Sequence, residues 1–441
     1  MKYLKLSLLA MLLIGISTSC LKMEEEDIFD DNAAARLDKA IKSYNEILTA
    51  EGGKWMLEYY SNSGEPGYVY LMTFNKNGSV KISGKNTLIG ELQGLEQTSA
   101  FGSEVSMWDV IGDNGPVLTF NTYNSIFHVF ANPEDIGATD TDEQGYGHEG
   151  DYEFDLMKYQ NDTLYIDGKK YELHMLMTRV SPDVDDATFF DELDAKKAEI
   201  FSASIPELYL TDGNGKRFVC TDASSMIWSI YPEGGDAITE TEVYNAIFTP
   251  SGFRFMSPFK YDGGQVQSFK LQGDKFVGDD GKSFVAAAAL GTLFTDSRFK
   301  WQVDASASSG ALLEAYNAIT TGTKAYNGST LTYINFMTTT VNGEPVRTMM
   351  FRVKMKTGSK NLDCNLYNVV TTDGTNVSFK FTGEGDKNAL VYQTNVAAIA
   401  AFVKTLEEGQ YTLSTDRPLG PSVIKMVDKT NPDNYLTLKV V

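Results

Sequence analysis

The chain has 441 residues, 42% hydrophobic, 22% charged and 12% aromatic, the composition of a globular protein with a full core and not of a fibre or a disordered chain. With 38 Lys and Arg against 59 Asp and Glu the formal charge is -21, which excludes a protein that neutralises nucleic-acid phosphates with a basic face. Three Cys and three His are too few for a disulfide scaffold, a zinc ribbon or a multi-His metal centre.

Lys2 and Lys5 precede an apolar run from Leu6 to Ile16, followed by Ser17, Thr18, Ser19 and Cys20. The run falls well short of the roughly 20 apolar residues of a membrane span. Small residues suited to a peptidase follow it, so residues 1–19 read as a secretory signal. The stretch before Cys20 resembles the lipobox of bacterial lipoproteins, with Ser17 where that motif usually has Leu. The resemblance implies cleavage just before Cys20 and a diacylglycerol on its thiol, so that membrane lipid is the first partner. Two or three acyl chains, at about 0.8 kcal/mol per buried methylene, anchor a soluble body stably.

Glu24 to Asp27, with Asp30 and Asp31, make residues 20–31 a solvated acidic tether. The block resembles the export signal beside the lipidated cysteine of Bacteroidetes surface lipoproteins, which implies an outer-membrane, lipid-anchored protein facing outward. Losing Lys2 and Lys5 with the signal takes the formal charge from -21 to -23.

Apolar residues at helical spacing predict a helix over Asn32 to Ala50, capped by Asp30 or Asp31 and stopped at Gly52-Gly53. Strands follow at Trp55 to Tyr60, Val69 to Phe74 and Val80 to Ser83, with Asn77-Gly78 as a tight positive-φ turn. Further strands are expected at Val117 to Phe120, Ile126 to Phe130, Tyr152 to Met157, Thr163 to Ile166 and Tyr171 to Arg179. A helix from Thr188 to Phe201, capped by Asp185 or Asp186, ends before Pro206. The polar Ser181-Pro182-Asp183 link divides a first module, 32–180, from a second, 181–305.

The second module echoes the first. Tyr123 to Phe127 parallels Tyr244 to Phe248, and Gln160-Asn161-Asp162 parallels Gln272-Gly273-Asp274, either as a duplicated β-module or as chance likeness among hairpins. A C-terminal α+β region, 306–441, opens with a helix near Gly310 to Ile319. It continues with strands at Leu331 to Met337, Val346 to Met355, Leu366 to Val370 and Val377 to Phe381, a helix from Val396 to Glu407 capped by Asn395, and three closing strands. The fold class is mainly β with a few packing helices: antiparallel barrel or sandwich modules.

No catalytic signature is recognised. A nucleophilic triad needs a His to move the proton, and His128, His148 and His174 lie in no known motif. Gly278 to Ser283 lacks the first glycine of a phosphate loop and reads as a hairpin turn. Cys220 and Cys364 fall in different regions and read as two buried thiols. Asp140, Asp142, Gln144 and Asp151 occupy the first, third, fifth and twelfth places of a calcium loop, with Gly145 at the sixth, although strands flank it where helices are usual. A flexible acidic loop is the alternative. Trp108, Tyr146 and Tyr152 are candidate platforms for a sugar ring, against core or rim packing. Asp162-Thr163-Leu164 resembles the O-glycosylation sequon of Bacteroidetes secreted proteins, with Thr163 as acceptor.

The lipobox and acidic tether, the Gly53 to Tyr60 strand after Ile47-Leu48, the Phe74 to Gly78 turn, Phe120 to Asn124 and Gly150 to Phe154 together resemble one family, the Bacteroidetes lipoproteins of domain of unknown function 4302. The likeness covers most of the mature chain and loosens after about Asn327. Relatives are often encoded beside SusC/SusD-type uptake systems, which implies an accessory role in nutrient capture and a transporter partner. The reading is a non-enzymatic, surface-tethered binder of a glycan or peptide. A surface hydrolase with an unrecognised carboxylate pair and a structural or adhesive protein remain as alternatives.

Overall fold

The computed structural model describes residues 32–132, 147–201, 207–356, 358 and 360–441. The signal, Cys20 and the tether lie outside the described residues. Within them the chain builds three antiparallel meanders, each with its last strand paired to its first.

Helix α1 (Ala33–Thr49) opens the first module. Its cap is Asn32 and not Asp30 or Asp31: the Asn32 side chain accepts the Ala35 N–H at 2.8 Å, satisfying a donor with no intrahelical partner. At the other end Arg179 donates to the Ile47 and Ala50 carbonyls, each at 2.8 Å, and Trp55 to the Leu48 carbonyl at 2.9 Å. A cation at a helix C-terminus also suits the dipole.

Gly53 then takes a φ of 65°, where a Cβ would lie 2.1 Å from the Phe74 carbonyl oxygen. Gly53→Ala is expected to cost about 1–2 kcal/mol for the left-handed backbone, and more for the blocked approach of the two chains. The midpoint of urea unfolding checks this, and an unchanged midpoint counts against it.

Strands β1 (Lys54–Tyr59), β2 (Tyr68–Phe74), β3 (Ser79–Asn86), β4 (Ala100–Met107), β5 (Asp109–Gly112), β6 (Pro116–Thr119), β7 (Glu153–Gln160), β8 (Thr163–Gly168) and β9 (His174–Arg179) form one nine-stranded sheet. Its order is β4-β3-β2-β1-β9-β8-β7-β6-β5, open between β4 and β5. In the β2–β3 hairpin only Gly78 of the Asn77-Gly78 pair has a positive φ, 82°. Helix α2 (Thr87–Leu92) follows β3, capped by Asn86.

Ile126 to Phe130, expected as a strand, is instead helix α3 (Ser125–His128) running into a 3-10 turn at Val129–Ala131. Fully buried Asn124 caps it, accepting from the Ile126 and Phe127 N–H groups at 3.2 Å each. The segment fills the hollow of the curved sheet, where the Tyr70 hydroxyl donates to the Ile126 carbonyl at 3.0 Å. Burial on all sides erases the one-faced pattern that marks a surface helix.

Helix α4 (Asp186–Ile200), capped by Asp185, leads to the second module. There β10 (Leu208–Thr211), β11 (Arg217–Thr221), β12 (Ile227–Pro232), β13 (Glu242–Thr249), β14 (Gly252–Tyr261), β15 (Gly264–Gln272), β16 (Lys275–Gly278) and β17 (Phe284–Ala287) close into a barrel. The two modules share hairpins at the Gln-x-Asp turns, where Gln160 faces Thr163 and Gln272 faces Lys275. The other paired segment diverges: Tyr244 to Phe248 lies in β13, whereas Tyr123 to Phe127 enters α3.

The C-terminal region is a second closed barrel of eight strands: β18 (Trp301–Ser309), β19 (Thr330–Val341), β20 (Glu344–Lys354), β21 (Asn361–Thr372), β22 (Asn376–Gly385), β23 (Tyr411–Ser414), β24 (Val423–Asp428) and β25 (Asn431–Val440). The boundary drawn at 305/306 falls inside β18. Helix α5 (Leu290–Thr295) already belongs to this module, since Leu293 and Phe294 pack with Trp301 and Val303 in its core.

Helices α6 (Gly310–Asn327), α7 (Lys387–Asn395) and α8 (Ala397–Glu408) pack against this barrel. Asn395 does not cap α8. It ends α7, with its amide donating to the Val391 carbonyl at 2.7 Å, and Val396 stands at the cap position. Among the described residues no single helix is long and apolar enough to cross a membrane. The α7–α8 pair, bent by 100°, passes that test jointly, and its Ile399, Phe402 and Leu406 are buried in the barrel core.

The modules are joined by polar contacts through apolar ground. Gly67 donates to the Ala246 carbonyl at 2.9 Å, Asn245 to the Ser63 carbonyl at 2.5 Å, and Arg254 pairs with Glu58 between β14 and β1. Between the barrels, Arg298 bridges Asp296 and Glu207, while Leu419 packs into the core of the first barrel.

Candidate functional site

A cavity of about 570 Å³ opens between the first module, α4 and the β10–β17 barrel. The start of β2 forms one wall with Tyr68 and Val69. Helix α4 forms the second, with Phe190 and Leu193, and Met226 and Phe248 of the barrel form the third. Gly67 sets the closeness of the walls, because a Cβ on it would lie 2.6 Å from that of Ile247.

Two lysines reach this cleft. Lys85 at the end of β3 is neutralised by Asp191 and Asp194 of α4, both at 2.8 Å. Lys197 of α4 has no hydrogen-bond or ion-pair partner for its ammonium among the described residues. Burial pushes its pKa down, with Asp194 opposing. The cleft also presents the hydroxyls of Thr87, Ser99 and Ser224.

The sequence held a signal for this wall. Phe190, Leu193 and Lys197 fall at i, i+3 and i+7, one stripe of a helix, so a lysine stands where the pattern calls for an apolar residue. The sequence reading placed this helix without singling out Lys197.

The residues singled out in the sequence disperse. Asp140, Asp142, Gln144 and Tyr146 lie outside the described residues. Asp151 is buried, its carboxylate accepting from the Lys170 and Tyr171 N–H groups at 3.0 Å each, and burial raises its pKa. Among the described residues no group of three or more His, Cys, Asp or Glu could hold a metal ion. Trp108 is a core residue and not a platform: it is 5% exposed, sits edge-on to Phe74 and donates to the Ser79 carbonyl. Thr163 is half-buried at the start of β8.

Tyr152 is 45% exposed and belongs to a row of three rings. His128 sits between it and Tyr123, with centroids 5.2 and 5.3 Å away. Tyr123, 62% exposed, is a surface aromatic that the sequence reading did not single out as a platform. His128 lies on α3 and not on a strand; burial lowers its pKa, and its Nδ1 accepts the Asn124 N–H at 3.1 Å. His148 pairs with Glu65 at 2.6 Å, and exposed His174 with Asp167 at 2.6 Å. Cys220 and Cys364 are free and buried in different barrels, and burial raises both thiols to about 12.

No curated protein matches the sequence. Among solved structures, kievitone hydratase from Nectria haematococca is 9% identical with a TM-score of 0.13, covering 88% of this chain and 89% of that one. A porin-like protein from Bacteroides uniformis is 8% identical with a TM-score of 0.09, covering 88% of this chain and 96% of its own. A family model described as domain of unknown function (DUF4302) matches residues 25–273, more than half of the chain, and the chain belongs to that family.

Proposed function

We propose that this protein is a non-enzymatic binder, tethered to the outer membrane through lipid on Cys20 and serving a SusC/SusD-type uptake system. In this reading its inter-module cleft captures a nutrient that carries a carboxylate, such as an acidic glycan or a peptide. The supporting observation is the ammonium of Lys197, without a hydrogen-bond or ion-pair partner among the described residues, in a largely apolar cleft. A partly desolvated cation without a close counter-ion is costly, and a ligand carboxylate on an apolar body supplies the missing partner while covering the half-buried Tyr68 and Leu193.

The test is thermal stabilisation of the mature chain by galacturonate oligomers and by tripeptides, with each mixture assayed for cleavage. A ligand at about 100 times its Kd stabilises the native state by about 2.7 kcal/mol. Lys197→Met is expected to weaken binding at least tenfold without loss of fold, because the Lys197 ammonium makes no hydrogen bond or ion pair among the described residues. Release of product would replace this reading by a surface hydrolase. Absence of any shift across both ligand classes would leave an adhesive or structural role.

A further inference from the structure

The β18–β25 barrel carries a hollow on its outer wall, away from the cleft and beyond the residues that the family model matches. Its volume is about 420 Å³. Two rows of outward-facing residues line it in register. Gln302, Asn335, Met350 and Asn365 stand side by side on β18, β19, β20 and β21; Tyr333, Arg352 and Asp363 stand beside them on β19, β20 and β21. Their neighbours Ile334, Phe336, Phe351 and Cys364 face the barrel core.

Asn335 and Met350 point outward yet are only 4% and 7% exposed, so they form a sunken floor. The floor has an unmet need: Asn335 Oδ1 is buried and has no hydrogen-bond partner. Such an acceptor loses its water on burial and costs about 1–3 kcal/mol unless a donor reaches it. Around it the groups are fixed. Arg352 donates Nε and Nη2 to the two carboxylate oxygens of Asp363, the latter at 2.6 Å. Its guanidinium lies 5.2 Å from the Tyr333 ring centroid. Asn365 is held by its amide donating to Asp386 at 2.9 Å.

We infer that this hollow binds a neutral, hydroxyl-rich ligand, a sugar unit. Asn335 Oδ1 requires a donor, which excludes a carboxylate or phosphate as its direct partner. Arg352 Nη1 and Lys300 at the rim are cationic donors, which disfavours an ammonium group there. A sugar hydroxyl donates and accepts at once, and adjacent hydroxyls on a ring meet both needs within one rigid body. Pairing with Asp363 occupies the Nε and Nη2 fork, offsets the charge of Arg352 and fixes its remaining N–H groups in one orientation, which suits a neutral acceptor. The site is independent of the cleft and does not rest on the function proposed for it.

Saturation-transfer NMR of the full mature chain with glucose, galactose, mannose, xylose and N-acetylglucosamine tests the inference. At least one of these is expected to give a signal. That signal should fall at least tenfold in Asn335→Leu and in Arg352→Met and persist in Lys197→Met. If Asn335 is only an uncompensated core-edge residue, N335L will hold or raise the melting temperature and leave the sugar signal intact, which overturns the proposal. Arg352 is solvent-accessible, so R352M keeps the test decisive should N335L fail to fold. No signal from any of the five sugars also overturns it. A signal lost in K197M but kept in N335L and R352M would assign the sugar to the cleft.

Discussion

Arg254→Met is expected to destabilise the protein by about 3–5 kcal/mol, the loss seen when one partner of a buried ion pair is removed. Arg254 on β14 is 6% exposed and Glu58 on β1 is 7% exposed, and the Arg254 Nε donates to a Glu58 carboxylate oxygen. The Tyr60 hydroxyl donates to the Arg254 carbonyl at 3.2 Å, and the Tyr60 ring lies 5.5 Å from the guanidinium. Methionine fills much of the same volume but strands the Glu58 carboxylate between the first module and the barrel. The pair is not required for stability as such, because its desolvation offsets much of its attraction. Glu58→Met with Arg254→Met is therefore expected to recover most of the loss. Urea unfolding of the four members of this cycle measures the coupling. A single mutant within 1 kcal/mol of the parent would show that the joint is hydrated and loose.

The second large effect is at Asp186, in the first turn of α4. Its carboxylate receives Lys54 at 2.6 Å, Lys81 at 2.8 Å and the Ser83 hydroxyl at 2.6 Å, and Lys54 is only 5% exposed. Asp186→Ala leaves the Lys54 ammonium buried without its counter-ion, again an expected loss of about 3–5 kcal/mol. The same cluster sets an acid limb. Burial alone would raise the Asp186 carboxyl, but the hydrogen bonds from Lys54, Lys81 and Ser83 outweigh it and hold the pKa below its usual value. A carboxyl depressed in the folded state contributes stability that is fully present above the unfolded value of about 3.9 and is lost as pH falls through the folded one. Melting temperature against pH should therefore drop below about pH 4 in the parent. In Asp186→Asn it should start lower and fall less over the same range. Parallel curves would rule out Asp186 as the titrating group.

Local punctuation carried most of the fold into the sequence. Gly52-Gly53, the Asn75 to Gly78 loop and the Asp280 to Ser283 turn mark element ends, and the alternation in β3, β21 and β22 announces half-buried strands. The structure decides barrel over sandwich through the pairings of β10 with β17 and β18 with β25. No local pattern encodes such a closure, because the partners lie far apart along the chain.

The helices that the sequence reading missed have two causes. The α3 segment is enclosed by the sheet, so its Ile126, Phe127, Val129 and Phe130 are all buried and no polar face reveals the helix. The short α2 and α7 depend on side-chain caps, Asn86 accepting from Ile89 and Asp386 from Ala389, more than on an apolar stripe. The site was less legible still. Lys197, Tyr68 and Phe248 meet only through the packing of three elements, and the Asn335 floor exists only because four strands align in register.

Helix α4 belongs to no single module. Its first turn is clamped to the sheet through Asp186. Lys196 donates to the Pro250 carbonyl of the first barrel at 2.6 Å, and Arg417 of the second barrel reaches back to the carbonyls of Ala198 and Glu199. Three modules in series would behave as beads on a string, each breathing on its own. A shared strut turns them into a truss, in which freeing one joint loosens the footing of the other two. The wall that carries Lys197 is that strut, so the width of the cleft is set by all three modules at once.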